Sequence, residues 1–171
     1  ALGGSGNSWT YNGACNDGTP YSVVDTRTTG ATRTIGSATT RSLATTAYNE
    51  TFYLTSNSTT GVNYYGLMDN PSGPTYFHNS APFVMATPTV TTSSTITNSS
   101  IPITSSDSNF TSGTTSGTVN VQGFEYVMTD AGPFRALKVS YTRNTSYTYS
   151  GAPGYDNETT TVWLRRGIGV V

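Results

Sequence analysis

Short runs of alternating apolar and polar residues recur along this chain, and no window keeps the apolar spacing of an amphipathic helix. Such alternation is typical of half-buried β-strands, and Thr, Ser, Gly, Asn and Tyr stand where a helix would need helix-forming residues. The pattern predicts strands at 8–11, 21–25, 32–35, 51–55, 63–68, 83–86, 90–97, 114–121, 124–129, 134–142, 145–149, 159–164 and 168–171. Many short strands separated by turns favour an all-β fold, an antiparallel sandwich or a curved half-barrel with essentially no helix.

The turns between these strands are marked by Gly, Pro, Asn and Asp, at 16–18, 70–73, 131–133 and 151–154. The clearest hairpin signal is Gln122-Gly123, which lies between the alternating runs 118–121 and 124–128. A dipeptide that ends in Gly between two such runs predicts a two-residue hairpin turn.

The length favours a single β domain over residues 1–171. Residues 87–118 are the most biased segment, nearly all Thr, Ser, Asn, Ile, Val and Gly, and a weak domain boundary near residue 87 is the alternative. Val90, Ile96 and Ile101 within this segment favour exposed strands joined by loops over a flexible linker.

Composition narrows the class of protein. The chain contains 34 Thr and 21 Ser but only 10% charged residues, whereas about a quarter is usual in soluble domains. The formal net charge of −1 removes the electrostatic case for nucleic acid or an anionic membrane as partner. No apolar run approaches the ~20 residues of a membrane span.

Several features indicate export. The sequence starts at Ala1 without an initiator Met, as a processed export product would. Hydroxyl-rich strands of low charge suit the extracellular space or the cell surface, with the periplasm as the alternative. Cys15 is the single cysteine, so we expect either a buried thiol or a bridge between two subunits.

Three segments resemble motifs of exported bacterial β-rich proteins, many of them lipoproteins or hypothetical secreted proteins. The segments are 6–11 (GNSWTY), 131–139 (AGPFRALKV) and 161–171 (TVWLRRGIGVV). Their order and spacing match across nearly the whole chain. The resemblance implies a curved antiparallel sheet in the periplasm or outside the cell. It implies no reaction, because that family is largely without assigned activity.

Catalytic chemistry has few candidates here. His78 is the only histidine, so a zinc site or a Cys–His pair would need an unusual ligand set, and we expect a surface or hydrogen-bonded group. No Gly-x-Ser-x-Gly segment marks a nucleophilic serine. We therefore expect no enzymatic activity and no cofactor.

Clustered oxygen atoms make calcium the remaining metal candidate, at a weak site. Asp156 and Glu158 are the only acids that lie close together in the sequence, and Asp17 stands in a second polar turn. The alternative is an ordinary Asx-rich turn.

The sequence offers candidates both for carrying and for binding sugar. Six Asn-x-Ser/Thr sequons are candidate glycosylation sites, at Asn49, Asn57, Asn98, Asn109, Asn144 and Asn157. Tyr147 and Tyr149 alternate and so share one face of a strand. Two sets of rings are candidates for a sugar-binding platform. One is Tyr147, Tyr149 and Tyr155, and the other is Tyr64 and Tyr65. A core or sheet-surface role is the alternative.

These observations favour a non-enzymatic extracellular structural protein, a subunit of a cell-surface filament or pilus-like fibre. Subunits are expected to assemble with one another by strand addition, and surface glycans are a further expected partner. The expected assembly strand is apolar and terminal, with Val162, Trp163, Leu164, Ile168, Val170 and Val171. The alternative is a periplasmic or surface half-barrel that binds an apolar or carbohydrate ligand.

Overall fold

The chain folds into one antiparallel β-sheet. A computed structural model describes residues 6, 8–15, 21–46, 49–69, 75–129, 132–165 and 169–170. Its strands are β1 Ser8–Cys15, β2 Tyr21–Ile35, β3 Ala38–Thr45, β4 Glu50–Asn57, β5 Gly61–Asp69, β6 Thr75–Ala86, β7 Ser94–Ser105, β8 Phe110–Thr129, β9 Gly132–Tyr149, β10 Ala152–Arg165 and β11 Gly169–Val170.

The eleven strands lie side by side in the order in which they occur in the chain, and each pairs with the next. The all-β antiparallel prediction is confirmed, and within the described ranges there is no helix. None of the residues that the structure describes therefore belongs to an apolar helix long enough to cross a bilayer. The chain stays in the same sheet as it passes residue 87, because β6 pairs with β7 on the other side of the connecting loop.

The sheet is strongly curled. Tyr64 lies on β5 and Arg143 on β9, four strands away, which in a flat sheet would be a distance of about 19 Å. The guanidinium carbon of Arg143 nevertheless lies 5.1 Å from the centre of the Tyr64 ring. The sheet must therefore bend back on itself, which gives it a concave and a convex face.

The apolar core lies on the concave face. Phe83 on β6 and Val119 on β8 are fully buried, and Val139 on β9 pairs directly with Val121 and Val162 on the two neighbouring strands. Aliphatic and aromatic side chains from β4 to β10 pack against this cluster. Full burial of a side chain, as at Phe83 and Val119, stabilises the fold by roughly 1.5–3 kcal/mol.

Near the N-terminal end of the sheet, in β2 to β4, threonine side chains are also buried. Thr29 and Thr40 are among the most deeply buried side chains. The Thr40 hydroxyl donates a hydrogen bond of 2.7 Å to the Arg33 carbonyl oxygen, so its burial leaves no polar group unsatisfied. The high Thr content thus supplies interior as well as surface positions.

The predicted hairpin turn at Gln122-Gly123 is wrong. Strand β8 runs through both residues without reversing, and its pairing with β9 shifts register between Val121 and Gly123. The extra residue forms a β-bulge, which a Gly within a strand often marks. The chain reverses instead between Thr129 and Gly132, which pair with one another.

Most other predicted strands are fragments of longer ones, but 90–97 is only half correct, because residues 90–93 belong to the loop before β7. The runs 134–142 and 145–149 form the single strand β9, and 114–121 and 124–129 both belong to β8. Strand β3 was not predicted, because its sequence ATTRSLAT has few apolar residues. The turn at 151–154 is shorter than expected, since β10 already begins at Ala152. The predicted turns at 16–18 and 70–73 include residues outside the described ranges.

Candidate functional site

A groove of about 950 Å³ opens on the concave face, next to the apolar core. Strand β9 contributes to both regions. Its inward-facing residues Leu137 and Val139 belong to the core, whereas Arg143 and Tyr147 line the groove. Strands β4 to β10 all contribute residues to the lining, so the groove exists only because the sheet is curled.

Aromatic rings form one wall of the groove. The rings of Phe77 and Phe110 meet edge to face with their centres 5.8 Å apart. Phe110 also stacks on Tyr147, at 6.5 Å and an interplanar angle of 21°. Three rings from β6, β8 and β9 therefore make a continuous apolar surface.

Two glycines provide the space for this wall. Tyr147 pairs with Gly113 on β8 and with Gly154 on β10. A Cβ atom at Gly154 would lie 2.3 Å from the Tyr147 ring, and one at Gly113 would lie 2.7 Å from the Phe110 ring. Any larger residue at either position would displace an aromatic side chain.

A partly buried ion pair lies at the boundary between the core and the groove. Arg143 and Glu158 are paired across β9 and β10, with 2.8 Å between Arg143 Nη2 and Glu158 Oε2. Glu158 Oε1 also accepts hydrogen bonds from the Tyr141 hydroxyl at 2.6 Å and from the Thr160 hydroxyl at 3.3 Å. The carboxylate is thereby held in one position by three side chains.

The ionisation of this cluster is fixed over the ordinary pH range. Burial and the neighbouring Glu158 raise the pKa of Tyr141 to about 12, and burial also raises the pKa of Tyr64. Burial opposes the charged form of Arg143, but Tyr64 and Glu158 outweigh it and raise the pKa of the guanidinium. Both tyrosines are therefore neutral and Arg143 is charged at ordinary pH.

Two buried nitrogen atoms, which belong to residues that line the groove, have no hydrogen-bond partner among the described residues. Asn79 lines the groove and is only 6% exposed. Its Nδ2 atom has no hydrogen-bond partner within the described part of the chain, and the same holds for Nε of Arg143. Buried donors are nearly always satisfied in folded proteins, so these two N–H groups are unusual. Both are shielded from solvent, and a ligand oxygen would reach them only after the side chains turn toward the groove.

Carboxylates line the rest of the groove. Glu50 on β4, Asp156 on β10 and Asp107 before β8 all contribute to it. Asp107 accepts hydrogen bonds from the Asn109 backbone N–H at 2.9 Å and from the Tyr149 hydroxyl at 2.8 Å. These hydrogen bonds lower the pKa of Asp107, so its carboxyl group is charged throughout the ordinary pH range.

The calcium candidates are not assembled into a site in the described ranges. Glu158 is engaged by Arg143 and Tyr141, and Asp156, two residues away, is exposed. Among the described residues, no three His, Cys, Asp or Glu side chains come close enough to hold a metal ion. Asp17 lies outside those residues.

His78 lies on β6 behind the groove, with its ring 6.2 Å from that of Tyr53 in an edge-to-face contact. Burial and the charge of Arg33 lower the pKa of His78. The imidazole is therefore neutral at pH 7.

The sequons occupy different environments. Asn49, Asn57, Asn109 and Asn157 are exposed, and Asn144 is half-buried. Asn98 is buried. Its Oδ1 accepts a hydrogen bond from the Val84 N–H at 2.7 Å, and its Nδ2 donates one to the Val84 carbonyl oxygen at 3.1 Å. The Asn98 side-chain amide thus takes the place of backbone hydrogen bonds between β6 and β7. Asn98 is therefore less accessible than the asparagines of the other five sequons.

The expected assembly strand is largely part of β10. Val162 and Leu164 pack against the apolar core. On the opposite face, Trp163 Nε1 donates a hydrogen bond of 2.6 Å to Glu125, and Lys138 lies 5.5 Å from the Trp163 ring. Val170 pairs with Leu164. Ile168 and Val171 lie outside the described residues.

The structure describes only the backbone of Cys15, but it places most of the tyrosines of the proposed sugar-binding platform. The Cys15 backbone pairs with Tyr21, and its side chain is outside the described part. Tyr64, Tyr147 and Tyr149 line the groove, whereas Tyr155 is 65% exposed elsewhere.

Sequence reasoning identified the alternating tyrosines of the groove but missed Asn79, Arg143 and Phe110. Each of these lies on a different strand, so only the pairing register and the curl bring them together. The comparisons add no further assignment: no family model, no curated protein and no solved structure matches this chain.

Proposed function

We propose that the protein is a non-enzymatic structural subunit of an extracellular filament, assembled by strand addition between copies. The observation that carries this proposal is an open sheet edge. On its outer side, β10 pairs only through Leu164 and Arg165, with β11. From Ala152 to Trp163 that side has no strand partner among the described residues.

An edge of this length is unusual in a protein that stays monomeric. Unpaired N–H and C=O groups along a strand are a template for pairing with another chain, and monomeric proteins usually keep edge strands short or cover them. Thr159 and Thr161 on this edge are exposed. Side chains of this kind favour strand pairing and do not block it.

The other end of the sheet offers a complementary edge. Strand β1 is the first in the order, and it pairs with β2 on one side. Pairing of β10 from one copy with β1 from the next would join two different surfaces. Such head-to-tail contacts generate open fibres unless the rotation between subunits closes a ring.

Strand addition would use the backbone of β10, since Val162 and Leu164 already pack in the core of their own subunit. Removal of 161–171 would therefore also damage that core. A sharper test places charge on the edge and leaves the core intact.

The double variant Thr159→Lys/Thr161→Lys is expected to abolish fibres, because two ammonium groups on an edge strand oppose its pairing with another sheet. Negative-stain microscopy and light scattering of the full chain would measure this. The matched control is Ser146→Lys, an exposed position on β9 that is paired on both sides. Fibres in the control but not in the double variant support the proposal. A wild-type chain that remains monomeric overturns it.

A second candidate function is that of a surface or periplasmic half-barrel that binds an apolar or carbohydrate ligand. The groove favours it, because a concave site of about 950 Å³ lies within the range of small-molecule sites, roughly 300–1,000 Å³. A monomer with measurable ligand affinity would support this candidate over the structural one.

A further inference from the structure

We propose that the groove is a binding site for an uncharged oligosaccharide, with the aromatic wall against the sugar faces and Asn79 and Arg143 as hydrogen-bond donors to sugar oxygens. This inference rests on the second candidate function and is independent of fibre assembly. Of the two ligand classes of that candidate function, the inference chooses carbohydrate over an apolar ligand. It also names the residues that would favour a sugar.

The aromatic wall fits the apolar faces of pyranose rings. Phe77, Phe110 and Tyr147 form one continuous surface, and the C–H groups on one face of a sugar pack against such rings. Tyr149, 39% exposed, extends this surface toward the mouth of the groove. The length of the wall and the volume of the groove suit several linked sugars better than one.

The unpartnered donors distinguish this groove from a site for a fatty acyl chain. Asn79 Nδ2 and Arg143 Nε are already buried without a partner in the free protein, so an apolar ligand would gain nothing from them, whereas a new hydrogen bond to either would favour binding. Hydroxyl and ring oxygens of a sugar would satisfy both once the Asn79 and Arg143 side chains turn toward the groove. Thr115 and Thr145 also line the groove. The Thr145 hydroxyl donates to that of Thr115 at 3.3 Å, which leaves Thr145 as an acceptor and the Thr115 hydrogen as a donor.

Charge selects among carbohydrates. Asp107 and Asp156 line the groove, and Arg143, the cation among its described lining residues, is already paired with Glu158. The groove is therefore negative overall. An anionic glycan or a fatty acid carboxylate would be repelled, whereas the carboxylates accept hydrogen bonds from the hydroxyls of a neutral sugar.

The test is a calorimetric titration of the full chain with maltotetraose, cellotetraose, mannotetraose and N-acetylchitotetraose. Tetragalacturonate serves as the anionic probe, and a long-chain fatty alcohol as the apolar one. We expect saturable binding of at least one neutral tetrasaccharide and at least about tenfold weaker binding of tetragalacturonate.

The decisive variant is Asn79→Leu. It should weaken binding of the neutral sugar about tenfold, the expected consequence of losing one buried hydrogen bond. Its unfolding midpoint should stay the same or rise, because the variant removes an unpartnered buried amide. A residue with a purely structural role would lower the midpoint instead. The matched control is Asn144→Leu, next to Arg143 but on the opposite face of β9, which should leave the affinity unchanged.

A second variant, Tyr147→Ala, should reduce affinity by removing part of the wall. Binding of the fatty alcohol without any of the four sugars would overturn the carbohydrate inference and leave the second candidate function standing. No binding of any probe would overturn both. Tighter binding of tetragalacturonate than of the neutral sugars would overturn the charge argument and with it the proposed ligand class.

Discussion

The carboxylate of Glu158 connects side chains from both strands of the β9–β10 pair. It accepts hydrogen bonds from Tyr141 and Thr160 and forms an ion pair with Arg143. Arg143 in turn lies over the ring of Tyr64 on β5. Glu158 thus positions the guanidinium group that contacts Tyr64 across the concave face of the sheet.

Glu158→Gln is expected to lower the free energy of unfolding by about 1–3 kcal/mol, the usual cost of leaving a partly buried charge without its counterion and hydrogen bonds. Urea unfolding would measure it. The control is Asp156→Asn, two residues away on the same face and exposed, where a change within about 0.5 kcal/mol is expected. Equal effects of the two substitutions would show that the Arg143 pair contributes nothing specific.

At the scale of single elements, β8 is shaped by its glycines. Gly117 pairs with Arg143, and a Cβ atom there would lie 1.9 Å from the Thr142 carbonyl oxygen. Gly123 in the bulge has no atom within 4 Å of the same position. The first glycine is therefore required by close backbone contact, and the second tolerates a side chain.

Gly117→Ala is expected to cost about 1–3 kcal/mol of stability, because a carbonyl oxygen of the neighbouring strand must move. Gly123→Ala should stay within about 0.5 kcal/mol of the wild type. Chemical denaturation of both variants of the same strand would measure the difference. A Gly117→Ala variant as stable as Gly123→Ala would indicate that the two strands lie further apart than the structure places them.

At the scale of the whole molecule, the ends of β8 and β9 extend beyond the sheet. Pairing with β7 stops at Val121, and pairing with β10 stops at Leu137. The remaining residues, 124–129 and 132–136, form a two-stranded arm. Phe124, Tyr126 and Met128 alternate along it and are 53%, 74% and 75% exposed. Exposed apolar residues concentrated in this way are typical of protein–protein contacts.

Tyr126→Ser/Met128→Ser is expected to leave the free energy of unfolding within about 0.5 kcal/mol of the wild-type value, because both side chains are exposed. If copies pack through the arm, the variant should also shorten or eliminate fibres in negative-stain images. The control is Val90→Ser, an exposed apolar position in the loop between β6 and β7, away from both the arm and β10. Fibres of unchanged length in the arm variant would exclude this surface from the assembly.

The sequence by itself determined the fold class. Alternation, abundant Thr and Tyr and frequent turn residues predict antiparallel strands, and the alternation also places Tyr147 and Tyr149 on one face. The physical reason is that strand formation and side-chain alternation depend on neighbours in the chain.

Only the tertiary structure decided where strands end and which residues meet. Gln122-Gly123 is locally compatible with a turn or a bulge, and pairing with β9 selects the bulge. The low apolar content of β3 is offset by pairing on both sides. Asn79, Phe110 and Arg143 come from three strands distant in sequence. Their meeting depends on register and on the curl of the sheet, which no local pattern encodes.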